Sequence, residues 1–157
     1  MADDDSDDCM LMQNAVHQVF ASHNFQCLPD GQELMDYLLR RGIYEDTKKY
    51  PAPDLVFLDI NMPRKDGLAA LKEIREHPDL RGIPVLIYTT SDAQEYIDRC
   101  YKLGANSYIT KPMSFDDLVK SVKCLAEYWF TVADLPLPKR ICGCLPCQDT
   151  PNEQCKI

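Results

Sequence analysis

Two continuous apolar runs, DLVFLDI at 54–60 and IPVLIYTT at 83–90, constrain the fold of this chain more than any other feature. Neither alternates polar with apolar residues, so each has the composition of a strand covered on both faces, which a parallel sheet supplies. Segments of helical period separate and follow them. LAALKEIREH sets Leu68, Leu71 and Ile74 on one face, and AQEYIDRCYKLG ends at Gly104, a natural C-cap. From Phe115 onward, Phe115, Leu118, Val122, Leu125 and Trp129 keep one stripe. Upstream, Met12, Val16, Val19 and Phe20 predict a helix from Asp7 to about His23, capped by Ser6. An extended FQCL, the turn PDG and a second helix over 31–41 follow, with Leu34, Tyr37 and Leu38 inward. IYEDTKKYPAP reads as a loop, and SYITKP as a short strand halted by proline. Strand alternating with helix means βαβ units, an α/β fold with a doubly wound parallel sheet.

The 157 residues divide into one domain over 1–134 and a tail over 135–157 that holds four of the eleven prolines and no periodicity. The tail is expected to be disordered; the alternative is that Cys142, Cys144, Cys147 and Cys155 bind zinc as four thiolates, although their spacing is loose and no histidine joins them. Cys9, Cys27, Cys100 and Cys124 lie in apolar-periodic segments and read as small buried hydrophobes kept reduced. A net charge of −8 argues against nucleic acid as a partner, because phosphate contacts need basic residues. The start has neither the basic residues nor the apolar stretch of a signal peptide, and no apolar run approaches the ~20 residues of a membrane span. The expected location is cytoplasmic.

Chemistry concentrates at predicted strand ends. Asp59 closes the run LVFL, where an open parallel sheet binds its ligands. Asp3 and Asp4 stand ahead of the first helix, Thr89 and Thr90 end the second run, and Lys111 ends SYIT. Brought to one edge, three carboxylates repel one another unless a cation joins them. An oxygen-rich, incompletely caged set suits Mg²⁺, which keeps waters and shares a phosphoryl ligand. A lysine and a threonine hydroxyl beside them suit the oxygens of that phosphoryl group. Two rivals fit less well. A phosphohydrolase of the haloacid-dehalogenase type wants an aspartate at position 61, where this chain has Asn61. An EF-hand over DDDSDD puts Asp8 at the turn glycine and Asn14 at the bidentate glutamate.

DDDSDD, DLVFLDINMPRKDG, PVLIYTTSD and GANSYITKP, in that order and spacing, resemble the receiver domain of two-component response regulators over roughly residues 2–130, the CheY-like single-domain group most closely. The resemblance implies a CheY/flavodoxin-like sheet of order 2-1-3-4-5. It implies Asp59 as acceptor of a phosphoryl group from a sensor histidine kinase, with Asp4, Asp59 and the Asn61 carbonyl on Mg²⁺ and Asp3 acting through water. Thr89, Thr90 and Lys111 would bind the phosphoryl group, Thr89 and Tyr108 would switch, and the Lys111–Pro112 peptide would be cis. WFTVADLP is similar to regulators of phytochrome-type and hybrid kinases. The message would pass to a downstream protein, or to a second copy in a homodimer, through the fourth helix, fifth strand and fifth helix. Self-catalysed phosphotransfer and dephosphorylation are the only catalysis implied. The alternative is a receiver-like interaction module that works without phosphorylation. One departure stands out: only Met1 and Ala2 precede the acid pair, where a receiver places its central apolar strand. The first strand is therefore expected to be truncated, its neighbours unpaired and the acid pair unanchored, with the true start upstream.

Overall fold

A computed structural model describes residues 1–20 and 24–136 of the chain. Three parallel strands, β1 (Val56–Leu58), β2 (Val85–Thr89) and β3 (Ser107–Thr110), lie in the order β1-β2-β3. Val56 pairs with Val85 and Ile87 with Tyr108. Every residue of β2 is buried, as its unbroken apolar run requires. Around the sheet run α1 (Ser6–Val19), α2 (Gly31–Leu38), α3 (Gly67–Glu76), α4 (Gln94–Lys102) and α5 (Phe115–Glu127).

The truncated strand survives as a single residue. Ala2 bridges Leu28 on one side and Leu58 on the other, both in parallel sense. The sheet order is thus 2-1-3-4-5, with its first two members reduced to bridges. The acid pair is nevertheless anchored, against expectation: Ala2 N–H donates to the Phe57 carbonyl at 2.9 Å, and Asp3 N–H to the Leu28 carbonyl at 3.0 Å.

Side chains on the two faces of β2 build two apolar layers. Val85 and Ile87 belong to one apolar cluster with Leu34, Met35, Leu71, Ile74 and Cys100, while Tyr88 belongs to another with Met12, Ala15, Leu118 and Val122. α5 buries Leu118, Val122 and Ala126 but leaves Phe115 exposed, so the stripe predicted from Phe115 is rotated at its start. Beyond α5, Tyr128–Val132 form a wider π-type turn, closed by Ala133 N–H on the Tyr128 carbonyl.

Several sequence expectations are corrected. Asp5, not Ser6, caps α1: its carboxylate accepts from Asp7 N–H at 2.8 Å, which makes Ser6 the first helical residue. α1 ends at Val19, where Phe20 turns extended (φ −138°), and α2 ends at Leu38 rather than at position 41. There Arg40 takes a left-handed φ of 60°, which no helix continues through, and a 3₁₀ turn over Gly42–Glu45 follows in the predicted loop. Gly104 caps α4 as predicted, with φ 94°. No described peptide is cis, so Lys111–Pro112 is trans. Cys9 and Cys27 are joined in a disulfide that ties α1 to the extended segment, and Cys124 is exposed; among the described residues only Cys100 is a free buried thiol as expected. The tail cysteines fall outside the described residues.

Candidate functional site: the acidic edge of the sheet

Asp59 follows the last residue of β1 and is held from three directions. Its N–H donates to the Ala2 carbonyl at 3.0 Å, and its Oδ2 accepts from Asn61 N–H at 3.0 Å. Gly67, the first residue of α3, donates its N–H to the Ile60 carbonyl at 2.9 Å, which seats the helix on the loop carrying Asp59. A Cβ at Gly67 would stand 2.0 Å from the Asp59 carbonyl oxygen, so only glycine allows this approach.

Asp3 is buried beside Asp59, and Asp4 is exposed next to it. One carboxylate oxygen from each of Asp3, Asp4 and Asp59 falls within 4.8 Å of the others. Lys111, just past β3, points its ammonium into this group. Its Nζ lies 2.7 Å from Asp3 Oδ2, 2.6 Å from Asp8 Oδ2 and 3.9 Å from Asp59 Oδ1. Burial alone pulls the Lys111 pKa down, but Asp3, Asp8 and Asp59 together outweigh it, so the ammonium is held above its ordinary value. Asp3 is raised: burial pushes its carboxyl up more than Lys111 and the Asp5 N–H pull it down, and Asp59 adds to the rise. Tyr88, under Lys111 with its ring centroid 5.6 Å from Nζ, is pushed up to about 12 by burial and by Asp8.

The predicted residues are not equally placed. Asp3, Asp4, Asp59 and Lys111 converge. Thr89 ends β2 fully buried, and its hydroxyl has no hydrogen-bond partner. Thr90 is exposed beyond the strand. Tyr108 is half-buried, its hydroxyl donating to the Ser91 carbonyl at 2.9 Å. Asn61 touches Asp59 through its N–H. Asp8, not among the site residues expected from the sequence, is a partner of Lys111 in the first turn of α1. Its signal was its place three residues after the Asp5 cap, where the first turn brings a side chain back over the strand ends.

Three carboxylates around one ammonium fit a divalent cation that shares a ligand with a bound anion. A cavity of about 580 Å³ lies at the other end of the strands, lined by Met1, Gln26, Leu55 and Val56 among others. Fold and edge together define a receiver module of the two-component type. The family model described as the response regulator receiver domain matches residues 1–123, and the chain belongs to that family. It is 35% identical over 136 residues to Response regulator Rcp1 of Synechocystis sp., covering 87% of this chain and 90% of that relative. Among solved structures, the phosphorylated cyanobacterial phytochrome response regulator RcpA matches with a TM-score of 0.80 at 37% identity, over 87% of this chain and 95% of that one. The Mn(2+)-bound form of Rcp1 matches with a TM-score of 0.77 at 35% identity, over 87% and 96%. No described helix is long and apolar enough to cross a membrane.

Proposed function

We propose that this receiver accepts a phosphoryl group on Asp59 from the phosphohistidine of a sensor kinase and reports it by protein contact. The observation that carries this reading is Lys111, a largely buried ammonium shared by Asp3, Asp8 and Asp59 at the strand ends. Asp59 Oδ2 is engaged by Asn61 N–H, so Oδ1, facing Lys111, is the oxygen that attacks phosphorus. The P–N bond to the donor imidazole breaks, and its electron pair stays on that nitrogen. Asp4, Asp59 and the Asn61 carbonyl would hold Mg²⁺, with Asp3 acting through water; the cation supplies charge neutralisation between carboxylates and phosphoryl oxygens. Lys111 binds one phosphoryl oxygen and Thr89 another.

Phosphorylation takes Asp59 from one negative charge to nearly two and adds three acceptor oxygens. The new charge competes with Asp3 and Asp8 for Lys111. Thr89 then moves to the phosphoryl group, and Tyr108 leaves the Ser91 carbonyl. The face made by α4, β3 and α5 carries the message, and its exposed Tyr96, Tyr101, Met113 and Phe115 suit a protein partner, or a second copy in a homodimer. A phytochrome-type sensor is the kinase class suggested by the names of the relatives. The setting is the cytoplasm, and the only catalysis is the receiver's own phosphotransfer and dephosphorylation.

Acetyl phosphate with Mg²⁺ tests this. A hydroxylamine-sensitive acyl phosphate should form on the full chain and vanish in Asp59→Asn. If no such adduct forms and Asp59→Asn binds partners unchanged, the phosphorylation-independent module is the correct reading.

A further inference from the structure

Tyr88 takes no part in the phosphoryl chemistry, yet it meets Lys111. In the parallel register Tyr88 of β2 pairs with Ile109 of β3, and Lys111 stands two residues past Ile109. Side chains two apart share one face of a strand, so Tyr88, Ile109 and the lysine stem lie on one face while Thr89 takes the other. Lys111 N–H donates to the Thr89 carbonyl at 2.7 Å, which carries the register just beyond the last residue of β3. The ammonium therefore comes to rest over the Tyr88 ring, with Nζ 5.6 Å from its centroid.

The ring itself is fixed. Tyr88 is 4% exposed and clusters with Met12, Leu118 and Val122. Phe57, two residues before Asp59, meets it edge-on, with centroids 6.1 Å apart and planes at 79°. An aromatic ring has a positive edge and a negative face, which favours this arrangement. The same negative face attracts a cation, more strongly where water is kept away. The Lys111 side chain is only 9% exposed, so this contact is of the desolvated kind.

The other close partners of the ammonium are carboxylate oxygens of Asp3 and Asp8. Their hold is open to competition. A hard cation draws on carboxylate oxygens, and a phosphoryl group brings three new acceptors for the ammonium. The face of a buried ring neither ligates a hard cation nor gains charge, so its hold is the same in either case.

We propose that Tyr88 is a positioning residue for Lys111: its ring face keeps the ammonium at the strand ends whichever oxygens the ammonium serves. The effect on phosphotransfer rests on Asp59 as acceptor; the seat of the ammonium does not.

In the full chain, Tyr88 is replaced by Phe, by Leu, and by phenylalanines bearing one, two or three ring fluorines. Fluorine weakens the negative face step by step at nearly constant shape. The first readout is heteronuclear NMR of the Lys111 ammonium, assigned with Lys111→Arg. Protons above a ring face are shifted upfield; that shift should persist in Tyr88→Phe and be lost in Tyr88→Leu. Exchange of the ammonium protons with water should quicken about three- to tenfold in Tyr88→Leu and in graded steps with fluorine. The second readout is the rate of acyl-phosphate formation from acetyl phosphate. It should stay within about twofold of the parent in Tyr88→Phe and fall about three- to tenfold in Tyr88→Leu and with the trifluorinated ring. If Tyr88→Leu does not fold, the fluorinated series alone decides. No upfield shift in the parent chain, or no trend along the series, overturns the seat and leaves Tyr88 as packing. A lost shift with an unchanged rate overturns the effect on phosphotransfer. A parent chain with the upfield shift but no acyl phosphate overturns Asp59 as acceptor and leaves the seat standing.

Discussion

Asp8 and Lys111 lie 103 residues apart in sequence and 2.6 Å apart in space, at the point where α1 begins and β3 has ended. This contact fixes the resting place of Lys111, because the same Nζ is 2.7 Å from Asp3 but 3.9 Å from Asp59. The lysine is thus kept nearer to two carboxylates other than Asp59.

Asp8→Asn removes one of those competitors while preserving a polar side chain of similar size. Asp8 is partly exposed, so the loss is discounted for solvent to about 1 kcal/mol or less. The expected outcome is a rise of roughly two- to fivefold in the rate of acyl-phosphate formation from acetyl phosphate, with the Asp59→Asn background unchanged. A rate equal to or below that of the parent chain would show that Asp8 positions Lys111 productively instead of competing for it.

Gly67 and Gly82 form a matched pair for testing the seat of Asp59. A Cβ on Gly67 meets the Asp59 carbonyl oxygen at 2.0 Å, whereas a Cβ on Gly82 meets nothing within 4 Å. Gly67→Ala should cost about 1–3 kcal/mol or more, because backbone must shift to admit the methyl group. Urea unfolding monitored at Trp129 measures it, with Gly82→Ala expected near the parent value. Phosphorylation of Gly67→Ala should slow as well, since the displaced atom belongs to Asp59, the proposed acceptor.

The pH dependence follows from Asp3. Burial raises its carboxyl above the ordinary range. Between the ordinary value of about 3.9 and the raised one, the native state holds a proton that the unfolded chain has released. The Asp3 contribution to stability is therefore fully present below the ordinary value and is lost as pH rises through the raised one. A divalent cation reverses this, because it binds the ionised form. Mg²⁺ should raise the melting temperature clearly near neutral pH and little or not at all near the ordinary carboxylate pKa. Equal shifts at both pH values would exclude Asp3 and its neighbours as the binding group.

The sheet and the place of Asp59 were legible because their signals are local. An unbroken apolar run states that β2 is covered on both faces, and a carboxylate closing such a run marks the strand end where Asp59 sits, itself buried. Asp8 was not legible, since its role depends on a lysine 103 residues away. The cap of α1 was misplaced by one residue because five aspartates and a serine compete for one position, and only the backbone geometry shows that Asp5 wins. The truncated first strand was legible as a shortage of apolar residues before Asp3. That Ala2 alone still anchors the acid pair required the hydrogen bonds to be seen. The Cys9–Cys27 bridge joins two segments that periodicity treats separately.

Arg75 carries the last prediction. From the final turn of α3 its guanidinium donates to the Gly104 carbonyl at 2.7 Å, the Ile83 carbonyl at 2.9 Å and Asn106 Oδ1 at 2.7 Å. The same Asn106 Oδ1 accepts from Val85 N–H at 2.9 Å, so one arginine and one asparagine lock the entry of β2 to the loop that leads into β3. Tyr108, the expected switch residue, lies two residues beyond Asn106. Arg75→Ala leaves two carbonyls and a shared amide oxygen without their charged donor, at a cost of about 2–3 kcal/mol. Asn106→Ala should cost a similar amount, and the double variant less than the sum, because both residues serve one network. Urea unfolding of the four proteins closes this cycle. Strict additivity would mean that the two side chains act independently and that the entry of β3 is held by its strand pairing alone.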